Sequence, residues 1–210
     1  MLVVVTGTGT EVGKTWFTAA TIRALRAATT SNVRAKKPVQ SFDPGGEPTD
    51  AEVLAAASGE APFDVCPPHR WYRIAVAPPM AAEMLGEPSF TIADLAAETQ
   101  PIADGAVTFV EGAGGPRSPI AGDGDTIDLA GALPTDIVLL VADAGLGTIN
   151  AVRLCAAALV SFTVVVALNR YDDANDLHRR NAEWLRTREG LEVVTDPEAL
   201  AQLLCEPTTR

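Results

Sequence analysis

The chain has 210 residues, 47% of them apolar and 20% charged, close to globular averages and far from the compositions of disordered or collagen-like chains. Sixteen basic residues stand against 27 acidic ones, a formal net charge of -11. That balance excludes nucleic acid and anionic membrane as default partners, because both require a basic footprint.

The length suits one domain spanning residues 1–210. Met1–Val5 is apolar without a preceding basic residue, so no secretory leader is expected. The longest apolar region, Leu154–Leu168, is broken by Ser161 and Thr163 and is shorter than the ~18 residues of a membrane span. Cys66, Cys155 and Cys205 show no metal-ligand spacing and are too few for a disulfide framework. A cytoplasmic protein with reduced thiols is expected.

Six short apolar runs read as strands: Leu2–Val5, Val33–Ala35, Val107–Val110, Ile137–Ala142, Val164–Leu168 and Leu191–Val194. They are continuously apolar rather than alternating, as in a parallel sheet covered on both faces. Between them Phe17, Ala20, Ala24, Leu25 and Ala28 recur at helical spacing, as do Leu177, Asn181, Trp184 and Leu185. The alternation predicts a doubly wound, mostly parallel α/β sheet. Phe42–Pro79 is proline-rich and reads as the least regular part. His69 and His178 lack partner spacing and are read as local structural residues; Trp16, Trp71 and Trp184 are read as packing residues.

The first strand runs into Gly7-Thr8-Gly9-Thr10-Glu11-Val12-Gly13-Lys14-Thr15 and then a helical pattern. A glycine-rich turn between strand and helix lets backbone N–H groups converge on phosphate oxygens, where the helix dipole also favours negative charge. Lys14 is placed to reach the terminal phosphates and Thr15 to ligate Mg²⁺. The glycines are one residue further apart than in the usual phosphate loop. Lys36 and Lys37 follow the second strand, and Pro38 biases Lys37 toward extended backbone at the strand's carboxyl end. Lys36 reads as a solvated charge. The third strand ends in Glu111, followed by Gly112-Ala113-Gly114-Gly115, where a carboxylate suits a metal ion that also takes phosphate oxygens.

The segments GTGTEVGKT (7–15), KPVQS (37–41), EGAGG (111–115) and LGTIN (146–150) occur in the order and approximate spacing of dethiobiotin synthetases. The chain resembles that family over residues 1 to about 170. EGAGG alone also occurs in the cobyric and cobyrinic acid synthases. The resemblance implies an ATP- and Mg²⁺-dependent ligase that joins CO₂ to 7,8-diaminononanoate and closes a cyclic urea, by way of a carbamate and its phosphorylated anhydride. It implies that Glu11, Val12, Gly13, Lys14 and Thr15 bind nucleotide. Thr10 would lie near substrate, Lys37 would stabilise the carbamate during phosphoryl transfer, and Ser41 would supply a substrate-side hydroxyl. A second metal carboxylate is implied after the KPV segment. Asp50 is the candidate, with Glu52 and Asp43 as competitors and a helix N-cap as its local alternative.

Gly147, Thr148, Ile149 and Asn150 resemble the segment that binds substrate carboxylate across a homodimer interface; an ordinary turn capping a helix is the alternative. Asn169 resembles the residue that reads the nucleotide base, against a strand-end turn. Two departures stand out: Gly9 where many members have Asp, and Phe42 where glycine is usual, which is expected to crowd the substrate pocket. The rival readings are a nucleotide-binding paralogue without this activity and a cobyric-acid-synthase-like ATP-dependent ligase. A partitioning ATPase is a further rival, although that group carries a lysine where this chain has Thr8.

Overall fold

The computed structural model of the chain describes residues 1–30, 32–45, 48–100 and 105–206. The first strand, β1 (Leu2–Gly7), is buried at every position. Side chains alternate across a strand, so Leu2 and Val4 enter one hydrophobic cluster while Val3 and Val5 enter another on the opposite face. A strand apolar at successive positions therefore needs helices on both sides. The chain supplies them.

Helix α1 (Lys14–Ala28) leads to β2 (Val33–Lys36) and a two-residue strand, β3 (Gln40–Ser41). Next come α2 (Asp50–Ser58), the single turn α3 (Pro62–Val65) and β4 (Trp71–Tyr72), which pairs with β3. Helices α4 (Pro78–Leu85) and α5 (Ile92–Thr99) precede β5 (Val107–Glu111). A small hairpin, β6 (Pro119–Ala121) with β7 (Gly124–Asp125), runs into α6 (Thr126–Ala132). The rest alternates strictly: β8 (Ile137–Asp143), α7 (Thr148–Ala158), β9 (Val164–Asn169), α8 (Asp176–Thr187), β10 (Glu192–Val194) and α9 (Pro197–Cys205).

The main sheet has the order β10-β9-β8-β1-β5-β2, with every pairing parallel. All six runs expected from the sequence are strands of this sheet, and the fold is the doubly wound α/β arrangement. Helices α1, α2 and α9 contribute Phe17, Ile22, Leu54 and Leu200 to the Val3 face; α5, α6 and α8 contribute Leu95, Leu129 and Leu185 to the Leu2 face. The proline-rich stretch is more regular than expected, because α2 lies inside it. Thr49 caps α2 and shares a capping box with Glu52, and Gly59 ends the helix in the left-handed conformation.

From β1 the chain crosses to β2 at the sheet edge, returns to β5 beside β1, and then crosses β1 to β8. The winding reverses there. The crevice outside the carboxyl ends of β1 and β5 is thus the topological switch point, where open α/β sheets bind ligands.

Candidate active site

Residues 8–13 connect β1 to α1 as a loop whose shape rests on two glycines. A Cβ on Gly7 would lie 2.7 Å from Val12 Cγ2, and one on Gly13 only 2.0 Å from Asn169 Nδ2. Gly13 also has φ +87°, a left-handed backbone that only glycine adopts without strain. Asn169 Nδ2 donates to Val12 O at 3.0 Å, and Arg170 Nη2 donates to Glu11 O at 2.9 Å while Nη1 pairs with Asp143. Glu11 itself sits at φ +59°. The end of β9 therefore braces the loop from outside. Helix α1 begins at Gly13 without a side-chain cap, so its first amides are open to an anion. Lys14 is nearly buried, and its Nζ reaches Gly9 O at 3.1 Å. Burial, followed by the neighbouring Lys37 charge, lowers the Lys14 pKa. A phosphate would relieve both penalties.

Four side chains meet beside the loop: Thr15 from α1, Asp50 from α2, Glu111 from the end of β5, and Lys37 from just past β2. Lys37, 1% exposed, donates from Nζ to Glu111 Oε1 at 2.9 Å and to Gly112 O at 3.0 Å, and pairs with Asp50 Oδ2 at 2.6 Å. Thr15 Oγ1 lies 2.7 Å from Asp50 Oδ1 and 2.8 Å from Glu111 Oε1. One hydroxyl hydrogen cannot serve two carboxylates. Glu111 is 1% exposed, and its other oxygen, Oε2, is buried without a hydrogen-bond partner.

Three oxygens thus converge beside a buried carboxylate, a donor set that fits a hard divalent cation such as Mg²⁺. Such an ion takes one or two carboxylates and fills its remaining positions with phosphate oxygens and water. Burial alone would discharge Lys37, but Asp50 and Glu111 outweigh it and hold the ammonium above its ordinary pKa. Burial likewise opposes ionisation of Asp50, yet Lys37 and the Thr15 hydroxyl keep its carboxyl below the usual range. Lys37 is accordingly a fixed positive charge and not a base.

The cleft beside this cluster has a volume of about 620 Å³. Thr10, Glu11, Gly13, Lys14, Thr15, Lys37, Ser41 and Asp50 all line it, together with Ala75–Pro78, Ser118 and Pro119. Ser41 Oγ already donates to Val76 O, which leaves the hydroxyl as an acceptor toward a ligand. Among the competing carboxylates only Asp50 enters the cleft. Glu52 is spent on the capping box and Asp43 accepts from Gly45 N. The N-cap role considered for Asp50 belongs to Thr49.

Other residues fall elsewhere. Phe42 does not crowd this cleft: its ring packs edge-on against Trp71 at 6.0 Å and lines a separate open groove. Gly9 has open space where a Cβ would go. Lys36 Nζ donates to the Asp64 carbonyl. Gly147, Thr148, Ile149 and Asn150 form the start of α7 and do not line the cleft of their own chain. There Gly147 begins the helix without a side-chain cap, and Thr148 Oγ1 is buried without a partner. Gln40, which sequence reasoning did not select, lines the cleft and accepts from Ala51 N, fixing α2 against the Lys37 segment. Its place inside KPVQS was the available signal. Arg170 was missed because nothing in the sequence marks the residue after β9 as a brace for a loop far away in the chain.

The sheet order, a glycine loop opening α1 and two carboxylates on its first hydroxyl define a P-loop nucleotide-binding protein. The family described as AAA domain (AAA_26) matches residues 2–204. The "ATP-dependent dethiobiotin synthetase BioD" of Anaeromyxobacter dehalogenans (strain 2CP-C) is 40% identical over 176 residues, 82% of this chain and 78% of that protein. The protein of the same description from Rhodococcus jostii (strain RHA1) is 36% identical over 200 residues, 92% and 84% of the two chains. The chain belongs to the dethiobiotin synthetase family within those P-loop proteins. Among solved structures, a ParA family ATPase from Chlorobium tepidum TLS aligns over 96% of this chain and 87% of its own, with a TM-score of 0.48 and 8% identity.

Proposed function

We propose that the chain catalyses the ATP-dependent carboxylation of 7,8-diaminononanoate by CO₂ and closure of the cyclic urea, using Mg²⁺. The observation that carries this reading is the meeting of Lys37, Thr15, Asp50 and Glu111 beside the phosphate loop in a member of this family.

One substrate amine bonds to CO₂ and loses a proton, giving a carbamate. A carbamate oxygen attacks the γ-phosphorus and ADP departs. The second amine then attacks the activated carbon, phosphate leaves and the ring closes. The loop amides and Lys14 hold the triphosphate in line for that transfer. Lys37, kept charged by its carboxylate neighbours, faces the carbamate and the transferring group, where fixed positive charge stabilises developing negative charge. Ser41 accepts from a substrate N–H. Thr15, Asp50 and Glu111 would hold Mg²⁺, whose role is to neutralise charge on the phosphate oxygens.

The remainder of the site comes from a second copy of the chain. The start of α7 lies away from the cleft, and Leu146, Leu154 and Val160 expose apolar side chains along that region, which supports a homodimer with the substrate carboxylate on the partner's α7. No helix among the described residues is long and apolar enough to cross a membrane, and the substrates are small and polar, in keeping with a cytoplasmic enzyme. The test is ADP release that depends on both diaminononanoate and bicarbonate. A folded, nucleotide-binding sample that hydrolyses ATP without regard to either would refute the assignment.

A further inference from the structure

Of the three tryptophans, two satisfy their indole N–H inside the fold. Trp71 Nε1 donates to Cys66 O at 2.8 Å and Trp184 Nε1 to Glu189 Oε1 at 3.0 Å. Trp16 does neither: it is 57% exposed, and no hydrogen bond to its indole is present among the described residues. Its one aromatic neighbour among the described residues is Phe17, edge-on at 6.4 Å. A packing role, as read from sequence, does not describe it.

Helical register says where the ring stands. Trp16 is one turn beyond Gly13 on the same face of α1, and Gly13 is pressed against the Asn169 amide. On its other side it continues a stripe with Ala20 and Ala24 at four-residue spacing. Side chains in a helix lean back toward its N-terminus, so the indole covers the turn before its own Cα, beside the phosphate loop. The cleft contains neither Trp16 nor Asn169. With the terminal phosphates at Lys14 and Thr15 and substrate beside Lys37 and Ser41 inside that cleft, the base of a nucleotide falls outside it, where Asn169 flanks the loop and the first turn of α1 carries Trp16.

We propose that Trp16 is the stacking wall for the nucleotide base, and so a specificity-determining residue that favours purines. This rests on the nucleotide-binding reading given above. An aromatic ring gains from stacking on any base, and a purine presents the larger face.

The test compares ATP, UTP and inorganic tripolyphosphate, each with Mg²⁺, by calorimetry on the wild type, Trp16→Ala and Trp16→Phe. The expected result is ATP affinity about tenfold weaker in Trp16→Ala, near wild type in Trp16→Phe, and a smaller margin of ATP over UTP in Trp16→Ala. Tripolyphosphate, which has no base, should bind all three alike. The ATP-induced change in tryptophan fluorescence should vanish in Trp16→Phe while binding persists. Unchanged ATP affinity in Trp16→Ala overturns the inference, as does an equal loss for ATP and tripolyphosphate, which would mean a distorted loop. Should Trp16→Ala fail to fold, the fluorescence of Trp16→Phe decides: a full ATP-induced change there overturns the inference. A wild type that binds neither ATP nor tripolyphosphate refutes the nucleotide reading itself, a distinct outcome.

Discussion

Replacing Lys37 with Gln removes the one ammonium that the structure places between two carboxylates. Lys37 and Glu111 have side chains 2% and 0% exposed, so the substitution leaves Glu111 as a buried charge without its counterion. Breaking such a pair costs about 3–5 kcal/mol. Asp50 adds little, because its side chain is 44% exposed and water screens it. For a chain of this size each kcal/mol moves the melting temperature by about 2–4 °C, so the variant should melt roughly 6–20 °C lower in a chelator. A divalent cation brought in with nucleotide would restore positive charge to the same carboxylates. The stability gap should therefore shrink with Mg²⁺ and a non-hydrolysable ATP analogue. Nucleotide affinity should stay within a few-fold, while turnover falls by about 10²–10³, the usual cost of removing a charge stabiliser. Paired melting curves and ADP release measure both. A variant melting like the wild type in chelator would refute the charge argument, and wild-type turnover would leave Lys37 a structural counterion with no part in the chemistry.

Gly13→Ala should abolish nucleotide binding, since the new Cβ meets Asn169 Nδ2 at 2.0 Å on a left-handed backbone, whereas Gly9→Ala has room and should bind normally; calorimetry on the pair checks this. Burial pushes the Cys66 thiol up to about 12, so a thiol reagent at neutral pH should modify exposed Cys205 at once and Cys66 only on unfolding. Equal labelling rates would contradict the packing around Cys66. Burial works against ionisation of Glu98, but hydrogen bonds from Arg70 and His69 prevail and hold its carboxyl below the ordinary range. A depressed folded pKa means the stabilisation is present above the unfolded value of about 4.3 and is lost as pH falls through the folded one. Glu98→Gln should thus cost about 1 kcal/mol at neutral pH and nothing in stronger acid, measured by urea unfolding across pH.

The strands were legible because burial on both faces demands apolar residues at successive positions, as in Val3, Val4 and Val5. Their ends were less so: Gly7, Glu111 and Asn169 continue the ladders of β1, β5 and β9 although none is a strand-former, since backbone pairing with a neighbour extends past the apolar run. The phosphate loop was readable from its own residues. The choice among Asp43, Asp50 and Glu52 was not, because all three are acidic and close in sequence. It turned on Thr49 and Glu52 forming a box that aims Asp50 into the cleft. Phe42 was misjudged for a related reason. Its position after Ser41 suggested the substrate side, yet just past β3 its backbone N–H donates to Tyr72 O and its ring meets Trp71. Trp16 showed its exposure only once α1 had turned Phe17, Ile22 and Leu25 to the core.

The oxygens around Thr15 come from positions 35 and 96 residues further along the chain. Neither approach can form until β1, β2 and β5 are aligned and α2 is seated across them. The proposed cation site is therefore a product of long-range closure, with no local precursor in any single segment. An unfolded or nicked chain has nothing for a divalent ion to grip, so each ion captured with nucleotide reports a sheet already assembled. A concentration of Mg²⁺-nucleotide above its dissociation constant would slow the turnover of this protein by proteases, by drawing the chain out of the opened states on which they act.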